Sequence, residues 1–177
     1  MTFLLAVLVG LVIGTGATLA IVLRRLSSKG RTLPVTAEWI DELSVDRYRP
    51  MLRILDECDM QFLKSQPGFN SRMVSRLRTQ RSHIFRGYLK CLDADFQRTC
   101  SALKVLMMQS HHDRPDLAST LVMAQFNFAC GVVVVHLRLA LYRLGLATVD
   151  VRGLMQQFDG MRGELRTLVP AGLGSLA

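Results

Sequence analysis

Residues 115–145 read PDLASTLVMAQFNFACGVVVVHLRLALYRLG. Between Asp116 and Arg138 no side chain is charged, and from Leu121 to Leu137 apolar residues fall on nearly every side of a helix. Pro115 suits a first helical position, Asp116 complements the positive end of the helix dipole, and Gly145 supplies a stop. A helix this long and this apolar is either a membrane span or the buried helix of a bundle. Gln125, Asn127 and His136 lie within it, and Arg138 and Arg143 follow. A span entered from the cytoplasm would export those arginines, against the bias that keeps cations on the cytoplasmic side. The sequence therefore predicts a central helix wrapped by the others.

That cytoplasmic frame comes from the other apolar stretch, Phe3–Leu23, FLLAVLVGLVIGTGATLAIVL. Its 21 residues carry no charge. At about 1.5 Å per residue they reach roughly 31 Å, the depth of a hydrocarbon core. A cleaved signal peptide would have a basic leader and a shorter apolar run. Only Met1 and Thr2 precede this one, so a retained single transmembrane helix is expected. Arg24, Arg25, Lys29 and Arg31 all follow it, which places the N-terminus outside and the body in the cytoplasm, at the plasma (inner) membrane. Ala6, Gly10, Gly14 and Thr18 recur every four residues, a small-residue stripe that allows a homodimer or a partner membrane protein to pack against the span.

The expected fold is all-α: an N-terminal transmembrane helix, then an antiparallel bundle of about four helices. The expected divisions are an anchor over 1–25, a basic linker over 26–35, a cytoplasmic helical bundle over 36–169 and a disordered tail over 170–177. The body is long enough to bury a core without staples. Half of the net charge of +8 sits on the anchor's flank, leaving the body only mildly basic. Cys58, Cys91, Cys100 and Cys130 have no metal-type spacing, and in the cytoplasm they are expected to be reduced thiols behaving as small apolar residues.

Four helices are expected in the body after a brief helix that Thr36 caps and that runs through Trp39 and Leu43. The first runs over about 46–65, with Tyr48, Met51, Leu55, Cys58 and Phe62 as one apolar face. Asn70 caps the second, carried to about Gln109, with Met73, Leu77, Ile84, Tyr88, Leu92, Phe96, Leu103 and Met107 inward and a break allowed near Gly87 or Asp93. The third is the stretch quoted above. Asp150 caps the last, where Val151, Leu154, Phe158, Met161, Leu165 and Leu168 are spaced 3, 4, 3, 4, 3.

The strongest charge feature is a run of six cations without an acid between Asn70 and Lys90: Arg72, Arg76, Arg78, Arg81, Arg86 and Lys90. Three uses compete. The cations could pair with the acids that crowd residues 38–59, meet anionic lipid headgroups beneath a tethered domain, or bind nucleic acid. Nucleic acid is the least favoured, since only Phe85 and Tyr88 are near for stacking. His111, His112 and Asp113 are the only clustered metal-type ligands, and a solvated turn is the simpler reading of them. No catalytic motif is present and no cofactor is implied. The expected role is a membrane-anchored scaffold or interaction module, with a metal-dependent enzyme built on the 111–113 turn as its rival.

Overall fold

The computed structural model describes residues 39, 42–56, 58–67, 70–109 and 115–168. Every regular element among them is helical: a 3₁₀ turn over Val45–Tyr48, α1 (Met51–Ile54), α2 (Cys58–Ser65), α3 (Ser71–Gln109), α4 (Pro115–Arg143) and α5 (Arg152–Leu168). The expected N-terminal span with its stripe of Ala6, Gly10, Gly14 and Thr18 lies outside the described residues, as do the linker, the His111–Asp113 turn and the tail.

The long helices begin and end where their caps dictate. Asn70 Oδ1 accepts from the Arg72 amide at 3.0 Å, and Asp150 Oδ1 accepts from the Arg152 amide at 2.9 Å. Helix α3 runs 39 residues without interruption, and Gly87 sits inside it with open space where a Cβ would point. Gly145 closes α4 at φ +78°, a conformation glycine adopts without strain. Its amide donates to Tyr142 O at 2.9 Å, and the Leu146 amide donates to Leu141 O at 3.0 Å, the double closure of a glycine C-cap.

Helices α3, α4 and α5 pack pairwise around one core. The Phe96 and Phe128 rings stack 3.8 Å apart, and the Arg78 guanidinium lies 5.9 Å from the centre of the Tyr142 ring, so α3 and α4 run antiparallel. Gly131 of α4 faces Leu154 of α5 so closely that a Cβ would sit 2.7 Å from Leu154 Cδ2. Val151, Leu154, Phe158, Met161 and Leu165 are buried in the expected seam of α5. The 3₁₀ turn and α1 cover the α3–α5 side.

Three expectations are corrected. The continuous helix over 46–65 is broken: Leu55 leaves helical geometry, and Asp56 Oδ1 accepts the Cys58 amide to start α2 afresh. Tyr48, Met51 and Leu55 are buried, whereas Cys58 and Phe62 beyond the break are exposed. In the first half of α3 the inward row is turned by one position, so Val74, Phe85 and Leu89 are buried while Met73 and Ile84 face out. The true row contains Arg78 and Ser82, which periodicity alone rejects; the Ser82 hydroxyl satisfies itself on Arg78 O at 2.7 Å.

The third correction concerns α4. It is the one described helix long and apolar enough to cross a membrane, yet only 33% of its apolar window is buried in the body. Leu121, Phe128, Val132, Val135 and Leu139 enter the core, while Val122, Met123, Phe126, Val134, Leu137 and Leu141 stay exposed. Three helices leave each member an outer side, so α4 is a partner in the bundle and is not wrapped by it. The two sides are separable by charge. Val132, only 7% exposed, should not tolerate Val132→Asp: a loss of about 3–5 kcal/mol is expected in chemical denaturation followed by circular dichroism. Val134, 47% exposed, should accept the same change within about 0.5 kcal/mol. Equal losses would mean that α4 is enclosed on both sides.

Candidate functional site

The structure divides the six cations of α3 into two groups. Arg78 and Arg81 turn inward. Arg78 is half-buried beside Tyr142, and Arg81 donates to Asp59 Oδ2 at 2.5 Å and to Asp56 O at 3.1 Å. Arg72, Arg76, Arg86 and Lys90 are exposed and have no acidic partner among the described residues. Among the described residues, pairing with the acids of 38–59 is thus realised at Arg81 and does not extend along the row. At about 100° per residue the four outward cations and His83 fall within about 80° of arc, one line along α3. Phe85 is fully buried and Tyr88 half-buried, so neither aromatic stands free beside this line for base stacking.

The line borders α4. Between the two helices runs a cleft of about 540 Å³ lined by Arg86, Leu89, Lys90 and Asp93 on one wall and Val132, Val133 and His136 on the other. His136, on an otherwise apolar helix, is exposed, with Nδ1 donating to Val132 O at 2.8 Å. Beyond Val133 the outer side of α4 continues through Phe126, Leu137 and Leu144, and from Val122 to Leu144 it extends about 33 Å at about 1.5 Å per residue. Cations and exposed apolar side chains therefore share one surface. The opposite cleft of α4, against α5, is lined by Ser119, Thr120, Asn127, Gln157 and Glu164 among others, with no cation among the described residues that line it.

No group of three His, Cys, Asp or Glu side chains among the described residues could hold a metal ion, and His111, His112 and Asp113 lie outside them. The four cysteines are free; Cys100 is buried and Cys130 half-buried, but Cys58 and Cys91 are exposed, so the expectation of four apolar fillers holds for half of them. The Cys58 thiol is held above its ordinary pKa, chiefly by its hydrogen bond with Asp56, which makes it a weaker nucleophile. The outer side of α4 is the feature that sequence reasoning assigned to the core; its one signal was apolarity in excess of what a single contact face needs.

The body's buried polar pair is structural. Tyr48 donates its hydroxyl to Asp95 Oδ2 at 2.5 Å, and Arg98 Nη1 donates to Asp95 Oδ1 at 3.2 Å. The pair pins the 3₁₀ turn to the middle of α3. Comparison with protein families, with curated proteins and with solved structures finds no match to this chain.

Burial first, and then the bond to Asp95, raise the Tyr48 hydroxyl well above the ordinary tyrosine range. A folded-state pKa above the unfolded one favours the fold fully below about pH 10 and loses that advantage as pH rises past it. An alkaline decline in stability beginning near pH 10 is therefore expected. Tyr48→Phe should lower stability by about 1–3 kcal/mol at neutral pH and remove this part of the decline, read by denaturation at a series of pH values.

Proposed function

We propose that this chain is a membrane-anchored helical scaffold, single-pass through Phe3–Leu23, whose cytoplasmic body is held against an anionic leaflet by α3. The observation that carries the reading is the line of Arg72, Arg76, Arg86 and Lys90, exposed and without acidic partners among the described residues. Among the described residues no acid compensates these charges, and their row is straight, as a flat anionic surface requires. Each cation near such a surface contributes about 1 kcal/mol, so a row of four suffices to orient a body that a tether already holds close. Specific partners would then bind the remaining faces, or the span itself through Gly10 and Gly14. The rival reading, a metal-dependent enzyme, rests on the 111–113 turn and would be favoured by metal that co-purifies with the chain and is lost in His111→Ala/His112→Ala.

The test follows Lys90. With the full chain inserted in vesicles, amine labelling of Lys90 should be slower when the vesicles contain phosphatidylglycerol than when they are pure phosphatidylcholine. The difference should shrink as salt rises, because exposed charges are screened beyond about 10 Å at 0.1 M. Equal labelling in both vesicles would overturn the lipid-facing row. A reporter fused after Ala177 should be active on the cytoplasmic side, and activity outside would overturn the orientation.

A further inference from the structure

The outer side of α4 requires an occupant, and its neighbours say which. Val122, Phe126, Val133, Leu137 and Leu144 lie within about 60° of arc at about 100° per residue, on the side of α4 that adjoins the cation line of α3. Leu137 is 63% exposed and Leu144 72%, values that leave most of each side chain without a protein contact in the body. The edge shared with α3 carries Arg86 and Lys90 as well as His136, with Asp93 as the one acid among the described residues of the cleft. An apolar stripe bordered by cations is the pattern of a helix that lies in the plane of a membrane, with the apolar side among acyl chains and the cations at the phosphates. A second protein helix would match the stripe but leave the line of cations unanswered.

We propose that α4 is such an in-plane helix: the bundle sinks the Val122–Leu144 side of α4 into the interface of an anionic bilayer, with Arg86 and Lys90 on lipid phosphates. This rests on the membrane-anchored reading above and adds that the body is itself a membrane-embedded element. Spanning is ruled out by packing. The inner side of α4 is fixed to α3 and α5, and a transmembrane α4 would carry Arg86, Lys90, Arg98 and Asp159 of those helices into hydrocarbon. Lying flat, α4 needs to bury only the side that the bundle leaves bare, and the charged outer sides of its partners stay in water or among headgroups.

The experiment uses the full chain, with its native cysteines replaced by alanine and Leu137→Cys carrying an environment-sensitive fluorophore, in phosphatidylcholine vesicles with and without phosphatidylglycerol. Blue-shifted emission quenched by a nitroxide on the lipid chain, and spared by aqueous iodide, is expected in the anionic vesicles. Arg86→Gln with Lys90→Gln should lower the docking equilibrium about 25-fold, each cation supplying about a factor of five, and return the label to iodide. A label quenched by iodide in both vesicles, while the chain resists extraction from them, would overturn the in-plane helix and leave the anchor intact. A label spared by both quenchers would mean that protein covers the face, and would overturn it equally. Extraction of the chain by alkaline carbonate would instead overturn the anchored reading itself. Phe126→Asp, at a side chain that is half exposed and within the stripe, should abolish the blue shift without the loss of helix that a misfolded chain would show.

Discussion

A helix whose central 21 residues carry no charge offers apolar surface around most of its circumference, and a bundle of three helices can cover only the part that points inward. Helix α4 is held to this constraint by its contacts with α3 and α5. Phe128, Val132, Val135 and Leu139 interlock with α3 and α5 on one side, and the stack of Phe96 on Phe128 fixes the register of the antiparallel pair. What remains on the far side is left by geometry. The exposed apolar stripe is thus a consequence of building a small body around a helix apolar enough to span a membrane.

The N-terminal turns complete the opposite side of the body. The 3₁₀ turn and α1 bring Tyr48 and Met51 onto α3 and α5, with the Tyr48 ring edge-on to Phe158 at 6.0 Å. The bond from Tyr48 to Asp95 then gives that cover a fixed seat, since a buried carboxylate without its donors is costly. The body is asymmetric as a result: covered by these turns on one side, and basic and apolar on the other.

Much of this was legible in the sequence, and the failures share a cause. Helix ends were readable because Asn70, Asp150 and Gly145 act locally, through bonds to amides and carbonyls a few residues away. The seam of α5 was readable because its apolar residues occupy one side and polar residues the rest. Helix α3 was misread over its first half because its inward row includes Arg78 and Ser82, which are accommodated by a ring on α4 and by the helix's own carbonyl. Helix α4 has too few polar residues to define an outside, so the sequence could not tell which apolar residues the bundle would leave bare. The cation line was legible as composition, but the division between Arg81 on Asp59 and the outward four depends on where the α1–α2 break places the acid.

The account turns on the two-sidedness of α4, and nitroxide scanning reads it directly. Single spin labels at successive positions from 121 to 141, in the full chain inserted in anionic vesicles, should show oxygen accessibility rising and falling with a period near 3.6. Maxima are expected at 122, 126, 134, 137 and 141, and minima at 121, 128, 132, 135 and 139. Accessibility that is uniformly high would make α4 a lone span in lipid, and accessibility that is uniformly low would make it a wrapped core helix; either result contradicts the account.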